Sequence, residues 1–187
     1  MHGAKTYLAL GDSMSIDDYT GVQGGGAVSQ FFRTLGKNWS LDDHTFDGCQ
    51  MAGVPRNGCG DLITLTIGGN DLLLNRDKFL REGLDDFQRE HAALLSDIRR
   101  ANPAATFIVG DIYEPDIPLS DVERHGLAAA NAAIRENCAQ VQAIVVPIHD
   151  TFRGRSSIYL CLGIEPTLQG AAAIAKLFET AHRKQNR

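Results

Sequence analysis

Short apolar, β-branched or aromatic runs alternate with longer amphipathic stretches along this chain. That alternation restricts its fold more than any other feature. Runs at Thr6–Leu10, Leu62–Ile67, Thr106–Val109 and Ala143–Pro147 read as strands, with a weaker one at His44–Phe46. Between them, Leu80, Leu84, Phe87, His91, Leu94, Leu95 and Ile98 recur at helical spacing and predict one apolar stripe. Leu127, Ala130, Ile134, Cys138 and Val141 repeat the pattern after Ser120, a residue suited to cap a helix N-terminus. A last helix is expected after Pro166-Thr167, carrying Leu168, Ala171, Ala172, Ala175, Phe178 and Ala181, and another over Val28–Leu35. Strands alternating with helices predict a three-layer α/β/α sandwich, a flavodoxin-like α/β fold around a parallel five-stranded sheet. No repeat or linker divides the chain, so residues 1–187 read as one domain. At 187 residues such a domain buries roughly 70% of its unfolded surface and needs no disulfide or metal to hold its core.

Several functions are excluded early. With 18 Lys and Arg against 23 Asp and Glu the net charge is −5, which argues against nucleic acid, since polyanion binders present a basic face. No apolar run approaches the roughly 20 residues of a membrane helix, so no membrane span is expected. Cys49, Cys59, Cys138 and Cys161 form no CxxC pair, so neither a metal nor any other cofactor is expected. A Cys49–Cys59 disulfide is one alternative to free thiols in a reducing compartment. The N-terminus shows no signal-peptide pattern, and the protein reads as cytoplasmic. Gly24-Gly25-Gly26 reads as a turn rather than a phosphate loop.

In an open parallel sheet, ligands bind beyond the carboxyl ends of the strands. The first strand ends in Gly11-Asp12-Ser13-Met14-Ser15 and the third in Gly68-Gly69-Asn70-Asp71. Ser13 sits at the edge of that crevice, and the Asn70 amide, free to project into it, is a donor of the kind that stabilises an oxyanion. The structural alternative is that Ser13 caps the next helix and Asn70 closes a turn.

These two blocks, Leu8-Ala9-Leu10-Gly11-Asp12-Ser13-Met14-Ser15 and Leu65-Thr66-Ile67-Gly68-Gly69-Asn70-Asp71-Leu72, resemble the SGNH (GDSL-type) hydrolases. The order of elements fits that family from residue 5 onward. The resemblance implies a serine-dependent esterase, lipase or acyl-ester hydrolase that takes a small ester or acylated substrate through an acyl-enzyme. Ser13 matches the nucleophile, and Asn70 with the Ser13 N–H the oxyanion donors. Gly53 best matches the family's third donor, with Gly48 and Gly58 close by. Few residues separate Gly53 from the third strand, so a helical crossover is not expected there.

The family's base lies before the last helix in an Asp-x-x-His-Pro block. Here Leu162 replaces the aspartate and Glu165 the histidine. Glutamate is the weaker base by roughly two pKa units, but burial raises a carboxyl pKa, and Leu162 is expected to aid that desolvation. The alternative is a surface carboxylate at a helix start, in a non-catalytic binding or regulatory protein. His149, after the fifth strand, is a substitute base, although three strand positions put it roughly 14 Å from the first strand. His2, His44, His91, His125 and His182 show no reason to converge on Ser13, and His91 reads as core. Arg153 and Arg155 read as surface residues or as contacts for an anionic group. With no lid domain, the pocket is expected to be open and the substrate small or surface-presented.

Overall fold

Five strands, β1 (Lys5–Gly11), β2 (Trp39–Thr45), β3 (Leu62–Thr66), β4 (Thr106–Gly110) and β5 (Ile144–Val146), form one parallel sheet in the order β2-β1-β3-β4-β5. They belong to a computed structural model that describes residues 4–185; His2 lies outside the described residues. Successive side chains of a strand face opposite ways, and β1 shows what each side meets. Tyr7 and Ala9 join a core with α1 (Ala27–Leu35) and α8 (Leu168–Gln185), built on Phe31, Ile174 and Phe178. Leu8 and Leu10 join the opposite core with α4 (Asp85–Ala101) and α5 (Asp121–Gln140), built on Leu94, Leu95 and Ile134. The three-layer α/β/α fold is therefore present.

The central strands are mostly apolar because both faces are covered, Thr64 and Thr66 of β3 being buried as well. At the sheet edge, β2 is the exception. Its polar sequence extends well beyond the weak signal at His44–Phe46, because it pairs with β1 from Lys5↔Trp39 to Gly11↔Thr45. The passage from β2 to β3 holds only a 3₁₀ turn, Met51–Gly53, in agreement with the short spacing.

One helix expectation needs correction. The stripe from Leu80 to Ile98 is not a single helix: α2 (Gly69–Leu74) and α3 (Arg76–Glu82) precede α4, and the chain breaks at Gly83, where φ is 80°. Glycine adopts that left-handed conformation without a Cβ penalty, and Asp85 and Asp86 then favour a new helix start. By contrast α5 begins as expected. Ser120 accepts from the Glu123 N–H, and the Glu123 carboxylate accepts from the Ser120 N–H, a reciprocal capping box. The Asn131 side chain of α5 reaches back to β4's exit, accepting from Ile112 N at 2.9 Å and donating to Ile112 O at 2.8 Å. That buried clamp fixes the wall beside the site.

Two short helices, α6 (Ile148–Phe152) and α7 (Ser156–Tyr159), lead into a two-stranded antiparallel hairpin, β6 (Leu160–Cys161) and β7 (Glu165–Pro166). This hairpin carries Glu165 in front of α8. Among the described residues, no helix is long and apolar enough to cross a membrane. All four cysteines are free.

Candidate active site

Because β1 and β3 are neighbours, the chain leaving each arrives at the same edge. Asp12 N donates to Thr66 O at 2.9 Å, and the Ser15 and Thr66 hydroxyls bond at 2.9 Å. Gly11 makes this approach possible. Its φ is 133°, and a Cβ there would sit 2.0 Å from Thr66 O. Ser13 follows in a tight turn, half-buried, and lines a cavity together with Asn70. It caps no helix, since α1 starts behind Gly26. The Asp17 carboxylate holds Gly24 N at 2.6 Å and Gly26 N at 2.7 Å, so the glycine run is an internally tied turn.

Asn70 is the second residue of α2. Its Nδ2 donates to Cys49 O at 3.0 Å, while Asp71 accepts from Met51 N at 3.2 Å. Both anchors bind the loop after β2 to the end of β3. Gly53 is not brought to the cavity: it is exposed, and its N–H is donated to Gln50 O at 2.9 Å. The turn that follows the anchor thus consumes the donor that the family resemblance suggested. Gly48, with φ of 71°, lies immediately before Cys49 in the anchored loop.

Glu165 is brought to Ser13. The Ser13 side chain lies close enough to the Glu165 carboxylate to favour its ionised form, the residue is only 6% exposed, and its Oε2 has no partner. Burial, reinforced by the Asp47 carboxylate, pushes the Glu165 carboxyl above its usual range, opposed by the neighbouring Ser13 hydroxyl. The expected contribution of Leu162 fails. That side chain is 80% exposed on the hairpin tip with φ of 52°, pointing its apolar surface at solvent. Tyr113 was missed by sequence reasoning. Its hydroxyl donates to Ile164 O at 2.5 Å and its ring stacks on Phe152 at 4.8 Å, which pins the backbone next to Glu165. A tyrosine just past the end of a strand was the available signal.

Asp12, beside Ser13, is buried and accepts from Met14 N at 3.1 Å. Burial drives its carboxyl well above the ordinary aspartate value of 3.8, despite the Met14 bond, and the Glu165 charge adds to the rise. The folded state therefore favours the protonated form. Below the unfolded value both states are protonated and the protein keeps its full stability; as pH rises through the folded value, stability is lost. Asp12→Asn removes that loss while keeping an acceptor for Met14 N. Its expected effect is a Tm raised by about 3–6 °C at pH 7, shrinking toward zero below about pH 4. Calorimetry across that range checks it, and a Tm unchanged at pH 7 would show that Asp12 is not strained there.

The histidines divide differently than expected. His149 N donates to Asp111 Oδ1 at 2.8 Å, and its ring faces Asp150 at 3.3 Å and Arg153 at 3.5 Å, partners outside the cavity. His91 is a core residue, stacked on Phe87 and bonded to Asn137, and burial lowers its pKa to about 4. His125 does reach the cavity, correcting the expectation that it lies apart, but its Nδ1 is bonded to Asp121 O at 2.6 Å within α5. Arg153 pairs with Asp150 at 2.8 Å and Arg155 with the Tyr159 hydroxyl at 3.0 Å, so both are engaged at the surface.

The cavity measures about 480 Å³ and runs from Ser13 between α2, α3 and the start of α5. Leu72, Phe79, Leu80, Leu84 and Leu127 give it an apolar wall. Its volume falls in the range of small-molecule sites, roughly 300–1,000 Å³. The broken stripe explains its origin: Leu80 and Leu84, read as one face of a helix, instead curve around the cavity.

Residues 9–173 match the family described as GDSL-like Lipase/Acylhydrolase. The chain belongs to that family. Solved structures agree in fold with this GDSL-like chain. The lipase Lip_vut3 from a goat rumen metagenome has a TM-score of 0.81 at 21% identity, covering 95% of this chain and 97% of that one. Phospholipase A1 from Streptomyces albidoflavus NA297 has a TM-score of 0.70 at 16% identity, covering 97% and 99%. A variant of Axe2, an acetyl-xylooligosaccharide esterase from Geobacillus, has a TM-score of 0.73 at 15% identity, covering 96% and 94%. No curated protein matches the GDSL-like sequence. At these identities the likeness is one of fold.

Proposed function

We propose that this GDSL-like protein is a serine hydrolase that cleaves carboxylic esters through an acyl-enzyme, with Glu165 in place of the usual imidazole base. The juxtaposition of the Ser13 side chain and the buried Glu165 carboxylate carries this reading. Ser13 Oγ attacks the ester carbonyl carbon as its proton passes to Glu165. The resulting oxyanion is met by the Asn70 amide and the Ser13 N–H, donors of the kind that stabilise such charge. Glu165 then returns the proton to the departing alkoxide, leaving an acyl group on Ser13. Water attacks that acyl group, giving a proton to Glu165, which passes it to Ser13 Oγ as the Oγ–acyl bond breaks and the carboxylic acid leaves.

A carboxylate at its ordinary pKa is a poor base at pH 7. Burial and Asp47 move Glu165 in the direction that this role needs. The apolar cavity suits the acyl chain rather than a polar leaving group. A fluorophosphonate probe is expected to add one adduct mass, on Ser13, and p-nitrophenyl butyrate to be cleaved at least about tenfold faster than the acetate. That preference follows from roughly 0.8 kcal/mol per buried methylene. An adduct elsewhere, or no adduct beside unchanged ligand binding, would favour the binding-protein alternative. An acetate preference would remove the acyl chain from the cavity.

A further inference from the structure

Ten large apolar side chains are exposed among the described residues, and six of them gather in one place. Leu73, Leu80 and Val122 line the cavity and also emerge from it, and Leu74 follows at the end of α2. Ile117 stands between Pro115 and Leu119, both on the cavity wall. Its Cγ2 lies 2.9 Å from where a Gly163 Cβ would be, so this loop touches the hairpin tip that carries Leu162. Three segments distant in sequence thus supply one apolar ring around the mouth above Ser13. Single exposed apolar residues are ordinary, but a contiguous set around a cavity mouth marks a contact surface. Leu162 is the sharpest member. It holds a left-handed backbone, which disfavours a side chain, and presents leucine to water with no partner in the isolated protein.

Two ion pairs stand at this mouth, alongside the carboxylates of Asp116 and Asp121. Arg76 Nε meets Glu123 Oε1 at 2.6 Å, and Arg124 meets Glu114 at 3.7 Å. Paired charges suit a headgroup layer that itself carries one charge of each sign, whereas the net charge of −5 disfavours an anionic layer. A second copy of the chain seated on the ring would close the mouth. A lipid layer would instead present acyl chains to it.

The geometry points to a docking face: the ring seats this protein on a zwitterionic phospholipid surface, with the cavity mouth against the acyl layer. The catalytic consequence, ester cleavage at that surface, rests on the Ser13 reading above, while the docking does not. Sedimentation of the full chain with phosphatidylcholine vesicles tests it. The parent and Ser13→Ala proteins are expected to bind equally. The double variant Leu74→Gln with Leu162→Asn is expected to lose about tenfold in binding, because two leucines leave the contact. Neither residue lines the cavity, and asparagine tolerates the left-handed backbone at 162, so p-nitrophenyl acetate turnover stays at the parent rate. No vesicle binding by the parent, equal binding by the double variant, or binding only to phosphatidylglycerol vesicles would overturn the proposal. So would a dimer that the double variant dissociates while vesicles bind neither protein. If vesicle binding behaves as expected but Ser13→Ala keeps full turnover, the hydrolytic reading fails and the docking face stands.

Discussion

Replacing Ser13 with alanine is expected to lower kcat/KM for p-nitrophenyl butyrate by at least about 10³-fold. Only the hydroxyl is lost, and Ser13 is half-buried in a turn held by backbone bonds of Asp12 and Ser15, so the fold has little cause to respond. The expected Tm shift is within about 2 °C, as for substitutions that leave core and caps intact. Residual turnover would come from oxyanion stabilisation and binding, which survive loss of a nucleophile. Turnover within tenfold of the parent, at an unchanged Tm, would remove Ser13 from the nucleophile's role.

Glu165→Gln comes second in size, with an expected loss of about 10²–10⁴-fold, the span of general base catalysis. Glutamine keeps the shape of the side chain and an acceptor oxygen, but it takes no proton. The pH dependence separates this from simple disturbance. Activity requires ionised Glu165, whose pKa is raised by burial and by Asp47. In the parent, kcat/KM therefore rises with pH through that elevated value and then levels. In Glu165→Gln this rise is expected to disappear from the residual rate. A variant that kept both its rate and the rise would transfer the base role elsewhere. Glu165→His is the complementary substitution: it restores the more usual base, and turnover increases if the site accepts a ring. The aspartate that would orient that ring is absent: Leu162 stands in its place, exposed on the hairpin tip.

The strands of the sheet centre were legible because Leu62–Thr66 and Thr106–Gly110 are covered on both faces and so are rich in apolar and β-branched residues. The α5 start was legible because Ser120 and Glu123 satisfy its first N–H groups locally. Ser13 and Asn70 stood out because the ends of adjacent parallel strands must open on one edge. Where tertiary contacts set the conformation, the signal faded. β2 takes its length from pairing with β1 rather than from its own polar sequence. The helix stripe ran through Gly83 unbroken because spacing does not register a left-handed turn. Gly53 had the right distance from β2, but its N–H was already committed to a local turn. Leu162 looked like a desolvating neighbour of Glu165 on a linear reading, and the hairpin turned it outward.

Taken by itself, the sequence determined the layered α/β architecture, the family, and the presence of serine, asparagine and glutamate at the positions where chemistry is expected. Those properties depend on periodicity and local motif, which short segments carry. Only the tertiary structure decided that Glu165 meets Ser13 while His149 turns to Asp150, and that Leu80 and Leu84 enclose a cavity. The same holds for the gathering of exposed leucines, isoleucine and valine around its mouth. Each is a meeting of residues far apart in the chain, set by strand order, a broken helix and a hairpin tip, and no local pattern encodes such a meeting.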